Sequence, residues 1–235
     1  MSEVSFKQLL ESGAHFGHLT SKWNPKMENY VLMKKNGIHI LDLNKTEQCL
    51  KSARDFLRNL VSKGGDVLFV GTKRQTVNTI RKNADMSGMF YVVERWLGGT
   101  LTNFSTIKKS IRHLNTLEKM KTAGYSESLT KKEKLRLERE RLKLAELHRG
   151  IKSMKRIPDA LIVSDICHND TAVKEAIKLN IPVIGIVDTN GDPNMVDYPI
   201  PANDDSVQTV ELIITDLAQA IIEGKKAKVD IQQSK

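Results

Sequence analysis

The chain has 235 residues, enough for one large domain with an appendage that buries roughly 70–75% of its unfolded surface; no apolar run approaches the ~18 residues of a membrane span, and Met1 to Ser12 shows no basic stretch leading into an apolar one, so no secretory signal is expected. Two cysteines, Cys49 and Cys167, lack C-x-x-C spacing; they suit a reducing cytoplasm and read as small buried hydrophobes rather than a disulfide or redox pair. The net charge of +9 is segregated, with 15 Lys+Arg against 9 Asp+Glu in residues 1–104, 16 against 6 in 105–157 and 6 against 13 in 158–235, a distribution that suits docking of one part of the surface on a polyanion.

In chain order, Val4 to Glu11 carries Phe6, Leu9 and Leu10 at helical spacing, a short amphipathic segment that must dock on the domain or on a partner. His15 and His18 have no cysteine or carboxylate at ligand spacing nearby, so packed or capping histidines are favoured over zinc. Lys22, Trp23 and Lys26 interleave cations with an aromatic around a turn. Such a loop either meets phosphates with the ring over a sugar or base, or anchors Trp23 on the core and leaves the lysines solvated. Tyr30 to Leu43 predicts a β-hairpin turning at Asn36-Gly37, with Lys34 and Lys35 at its tip.

Cys49, Leu50, Ala53, Leu57, Leu60 and Val61 recur at helical period, Gly64-Gly65 closes that helix, and Val67 to Val70 is a wholly apolar strand of the parallel-sheet kind. Gly71-Thr72-Lys73-Arg74 follows, before a helix through Ile80. A strand, a glycine and a helix start is also how nucleotide enzymes hold phosphate. No G-x-G-x-x-G and no G-x-x-x-x-G-K-[ST] is present, so the alternative of a nucleotide- or flavin-binding enzyme fares poorly. Lys73 and Arg74 remain suited to a single backbone phosphate, or are simply solvated.

Phe90 to Val93 has strand composition, and Glu94 to Phe104 (E-R-W-L-G-G-T-L-T-N-F) joins it to a long basic helix. Gly98-Gly99 permits a sharp turn, Arg95 is the expected phosphate contact with Trp96 packed beneath it, Thr102 and Asn103 supply polar groups, and Asn103 or Ser105 is placed to cap the helix. Ile107, Ile111, Leu114, Leu117 and Met120 form its stripe, residues 123–126 break it, and Thr130 to Glu133 is a capping box opening a second helix to about Met154, with Leu137, Leu144 and Ile151 seven apart. The expected result is an antiparallel, coiled-coil-like helical hairpin over 105–157 that projects from a globular domain of 1–104 and 158–235. Lys108, Lys109, Arg112, Arg136 and Arg139 line its sides. Solvated faces usually balance their charges, and the imbalance here favours RNA.

Strands at 159–163 and 182–187 flank a helix over 171–179, a closing helix spans Ser206 to Ile222, and residues 224–235 read as a disordered tail. Alternating strands and helices imply a doubly wound, three-layer α/β sandwich with a mainly parallel sheet, flavodoxin- or Rossmann-like. Asp188, Asp204 and Asp205 lie in the loop after the last of these strands. They serve as caps or as ligands of a structural metal; catalysis would also need a nucleophile or base, and none is evident, so no catalytic residue and no cofactor is assigned.

Four stretches, His15 to Met27, Asn36 to Thr46, Arg95 to Phe104 and Gly185 to Asp205, in this order and at these separations, closely resemble the bacterial ribosomal protein S2 family of the small subunit, over about Phe6 to Glu223. Ser164 to Asn169 departs from it, since many relatives read D-P-x-x-E there. The resemblance implies a cytoplasmic, non-catalytic protein of the ribosome that lies on 16S rRNA. Neighbouring small-subunit proteins would touch it, and it would help recruit the large messenger-binding protein built of OB repeats. No membrane and no small-molecule substrate is implied, and an acidic C-terminal third that docks a basic neighbour is compatible with all of this.

Overall fold

A computed structural model describes residues 4–123 and 130–233, with side chains to residue 228. The chain opens with a short helix α1 (Phe6–Glu11) and a small antiparallel sheet of β1 (Phe16–Leu19), β2 (Val31–Lys35) and β3 (Ile38–Leu41), in the order β1-β3-β2. The β2–β3 turn falls where the sequence predicts it. Asn36 and Gly37 both take positive φ, 52° and 76°, the left-handed pair that matches the twist of the flanking strands.

α2 (Leu43–Ser62) begins where the Asp42 side chain accepts from the Asn44 amide, and it buries Leu43, Thr46, Leu50, Ala53, Leu57 and Val61 on one face. Then come β4 (Val67–Val70), α3 (Val77–Ser87), β5 (Phe90–Val92), α4 (Phe104–Thr122), α5 (Lys131–His148), β6 (Ala160–Val163), α6 (Asp170–Lys178), β7 (Val183–Val187), β8 (Tyr198–Pro201) and α7 (Val207–Gln233). The large sheet has the order β5-β4-β6-β7-β8 with every pair parallel. Its strands are buried on both faces, and alternate residues serve opposite layers. Val67 and Phe69 pack with α2, α3 and α7, whereas Leu68 and Val70 pack with α4, α6 and the segment around Ile151.

The order reverses between β4 and β6, so the crevice in which such folds hold ligands lies above Gly71 and Ser164. The N-terminal segment is fastened to that same end by remote partners. The His18 amide donates to Thr189 Oγ1 (2.8 Å), the Asn24 amide to the Thr189 carbonyl (2.8 Å), Thr46 Oγ1 to the Pro201 carbonyl (2.6 Å), and Thr209 Oγ1 to the Ser12 carbonyl (2.9 Å).

Two expectations need correction. The helix after Thr130 stops at His148, not near Met154. Gly150 lies so close to β5 that a Cβ there would stand 2.1 Å from the Tyr91 carbonyl, and the Tyr91 amide donates to the Gly150 carbonyl at 3.2 Å. Ile151 and Met154 therefore turn into the core under the sheet and do not extend a heptad seam. At the other end of the chain, α7 runs past Gly224 to Gln233 where a disordered tail is expected. Gly224 makes this possible, since it is buried against the backbone of Arg58 on α2. The predicted break at 124–126 and residues 234–235 lie outside the described residues.

Candidate functional site

α4 buries Phe104, Ile107, Ile111, Leu114 and Leu117, and among the described residues α5 leans chiefly on α4. The two helices run antiparallel: Ser110 Oγ meets His148 Nε2 (2.8 Å), His113 Nε2 meets Glu140 (3.0 Å), and Lys121 Nζ donates to Glu138 (2.9 Å). On α5 the inward positions Leu137, Leu144 and Leu147 are only half-buried, and Leu135 and Leu142 are exposed. With so thin an apolar seam, polar pairs close much of the joint. His148 is the one buried residue of α5, and burial holds its imidazole below the usual range, in the neutral form.

Lys109, Arg112, Arg136 and Arg139 are exposed, and none has a carboxylate in ion-pair range among the described residues. Lys108 is half-buried with its Nζ 5.0 Å over the Phe104 ring, leaving the ammonium at the base of α4.

The small sheet carries the second group of candidates. Trp23 stacks on buried His39 (centroids 4.9 Å apart), and Lys34 Nζ lies 5.3 Å from the Trp23 ring centroid. The indole is therefore an anchor between two side chains rather than an open stacking platform. Lys22, Lys34 and Lys35 are exposed, whereas Lys26 spends its ammonium on Asp192 at 2.6 Å.

The joint from Glu94 to Phe104 is organised by a residue that sequence reasoning missed. Glu175 of α6 accepts from Trp96 Nε1 (3.1 Å), the Gly99 amide (2.8 Å), the Leu101 amide (3.0 Å), the Thr102 amide (3.0 Å) and Thr102 Oγ1 (3.0 Å). Burial opposes its ionisation, but the bonds from Thr102, Gly99, Trp96 and Leu101 prevail and hold the carboxyl below its usual range. A lone acid inside a helix pattern gives no signal of this in the sequence. Trp96 is thus tethered to Glu175, and the Thr102 hydroxyl is directed inward rather than free for RNA, while Arg95 is exposed. Asn103 stands at the N-cap, yet its Oδ1 accepts from the Thr106 and Ser105 hydroxyls and caps no backbone amide.

At the crevice between β4 and β6, Lys73 is held through its ammonium by carboxylates within the fold. Its Nζ sits 2.7 Å from Asp165, 3.0 Å from Asp204 and 2.9 Å from Asp205, carboxylates 92 to 132 positions away in sequence. Burial disfavours its charge, but the three carboxylates outweigh that and raise its pKa. Arg74 alone of that pair is exposed. Asp165, in the stretch that departs from the family pattern, also accepts from the Cys167 (2.8 Å) and His168 (2.9 Å) amides and so shapes the turn into α6.

His18 joins the cluster with Nδ1 3.0 Å from Asp188 and Nε2 3.5 Å from Asp205; the Asp188 bond raises its pKa against the effect of burial. Burial, with Asp165 and Asp188 close by, pushes Asp204 up to about 7. Ligand atoms of His18, Asp188 and Asp204 lie within 4.8 Å of one another, a nitrogen-and-oxygen set able to hold a divalent cation. His15 takes no part, its ring lying 4.0 Å from that of Phe16. Four carboxylates against Lys73 and His18 leave this crevice net negative, which disfavours a phosphate.

Among the described residues no helix is long and apolar enough to cross a membrane. The family model described as Ribosomal protein S2 matches residues 9–224, nearly the whole chain. The chain therefore belongs to the ribosomal protein S2 family, and it is a structural, non-catalytic component of the small ribosomal subunit in the cytoplasm.

Proposed function

We propose that this chain binds small-subunit rRNA chiefly by charge, with α4 and α5 forming a coiled-coil arm (105–157) that projects from a body made of 1–104 and 158–235. The observation that carries this reading is the surplus of cations on α4 and α5, among them Lys109, Arg112, Arg136 and Arg139 with no carboxylate in ion-pair range among the described residues, in a stretch of 16 Lys+Arg against 6 Asp+Glu. Lys108, Lys109, Arg112, Arg136 and Arg139 displace counterions from phosphates, and the fixed helices supply the shape. Lys22, Lys34, Lys35, Arg74 and Arg95 add contacts from the body. Lys26, Lys73, Thr102 and Asn103 act through the loops they hold.

Neighbouring small-subunit proteins touch the body, and the messenger-binding protein of OB repeats is recruited there. An acidic C-terminal third, of which Asp205 stands exposed at this end of the sheet while Asp188 and Asp204 are buried, supports docking of a basic neighbour.

The test is a fourfold variant, Lys109→Gln, Arg112→Gln, Arg136→Gln and Arg139→Gln, titrated against naked small-subunit rRNA at several salt concentrations. Loss of four phosphate contacts should flatten the plot of log affinity against log salt by about 3. An unchanged slope in a folded variant overturns the proposal.

A further inference from the structure

The opposite end of the large sheet, where the strands begin, gathers cations that the contacts above leave unused. A Cβ on Gly224 would stand 2.7 Å from the Arg58 carbonyl, and this close seat carries the last turns of α7 over the C-terminal ends of α2 and α3. There Lys225 Nζ donates to the Gly88 carbonyl at 3.1 Å, and Lys228 Nζ lies 2.7 Å from where a Cβ on Gly64 would stand. Arg156 reaches the same glycine from the other side. Its Nη2 donates to the Gly64 carbonyl (3.0 Å) and lies 3.1 Å from Asp159, while its Nε donates to Asp66 (3.0 Å).

Helix C-terminal carbonyls draw cations, and Lys225 and Arg156 serve that purpose. The supply exceeds it. Lys63, Lys155 and Lys226 are exposed, each is the sequence neighbour of one of these groups, and none has a carboxylate in ion-pair range among the described residues. Burial lowers the pKa of Lys225, and the positive charge of Lys228 lowers it further against the pull of Asp66. Like charges are crowded here in a way that a bound anion would relieve.

We propose that this surface, built from Lys63, Lys155, Arg156, Lys225, Lys226 and Lys228, binds RNA backbone phosphates as a second contact at the far end of the sheet from the acidic cluster. It rests on the reading that the chain binds small-subunit rRNA. Ile157 and Met86 are exposed nearby, but the six named side chains are all cations, and a surplus of positive charge is what a polyanion backbone recognises.

The test uses the full chain with Lys63→Gln, Lys155→Gln and Lys226→Gln, which leaves Arg156, Lys225 and Lys228 in their bonds. Affinity for naked small-subunit rRNA should fall about tenfold near 0.1 M salt, and the salt slope should flatten by about 2. The α4–α5 variant is titrated alongside. Parental affinity and slope in the triple variant, with weakening in the other, overturns this surface and leaves the proposed function standing; no change in either overturns both. In assembled subunits, a photo-cross-linking residue at position 226 supports the surface if it captures RNA and overturns it if it captures only protein.

Discussion

Replacing Glu175 probes how much of the joint between β5 and α4 depends on one carboxylate. Glu175→Ala removes the acceptor of five bonds and strands the Leu101 amide, the most deeply buried of the donors, while Gly99, Thr102 and Trp96 are partly open to water and recover some hydration. Hydrogen bonds to a charged group contribute about 1.5–3 kcal/mol each, and an orphaned buried donor costs about 1–3 kcal/mol. With water restoring part of the loss, the expected destabilisation is about 3–5 kcal/mol. Glu175→Gln separates charge from shape. Whichever way its amide turns, one nitrogen faces N–H donors that an oxygen now accepts, so the isostere should lose about 2–4 kcal/mol. Urea unfolding followed by tryptophan fluorescence, with amide exchange at Gly99 to Thr102, measures both effects. A loss below about 1 kcal/mol for Glu175→Gln, with exchange at those amides unchanged, would refute the anchoring role.

Lys73→Ala leaves Asp165, Asp204 and Asp205 without their ammonium and should destabilise the fold by about 3–5 kcal/mol near pH 8. The folded-state pKa of Asp204 is raised, so the stability this group contributes is present at low pH and lost as pH rises through about 7; unfolding curves at pH 5 and 8 should show the smaller loss at pH 5. His39 is buried with neither ring nitrogen bonded, and burial, followed by Lys34, lowers its pKa. Its stability contribution is therefore lost as pH falls below about 6.5, and His39→Phe, which keeps the stack on Trp23, should stabilise by about 1–2 kcal/mol at pH 5 and less at pH 7.5. Gly150→Ala drives a methyl into the Tyr91 carbonyl and ring and should cost about 2–4 kcal/mol by thermal unfolding, whereas Gly98→Ala, with no neighbour within 4 Å, should cost little.

Local chemistry made much of the fold legible. β4, β6 and β7 are short, wholly apolar runs, and they appear within a residue or so of their predicted bounds because a strand buried on both faces tolerates nothing else. Asn36-Gly37 needed only its two left-handed residues to mark the turn. What stayed hidden depends on residues far apart in sequence. Ile151 and Met154 keep the spacing of a helical seam but serve the sheet, because Gly150 lets the chain press onto Tyr91. Lys73 reads as a loop cation until the carboxylates of Asp165, Asp204 and Asp205 are seen around it, and Glu175 draws no notice in the sequence, because its donors lie more than seventy positions earlier in the chain. The cations of α4 and α5 were visible in the sequence because charge surplus along a helix survives without tertiary knowledge.

The ties between the first fifty residues and the last third bear on how the protein is made. Ser12, His18, Asn24 and Thr46 find their partners at Thr189, Pro201 and Thr209, so β1 to β3 have nothing to rest on when they leave the exit tunnel. At about 5–20 residues added per second, they wait roughly 10–30 s for β7, β8 and α7 to be synthesised. Through that interval Phe16, Leu19, Leu32 and Met33, which stay exposed even in the finished fold, lie on a sheet that cannot yet dock. A nascent chain of this kind calls for a holding chaperone at the ribosome surface, and truncation before Thr189 should yield an aggregating product rather than a smaller folded one.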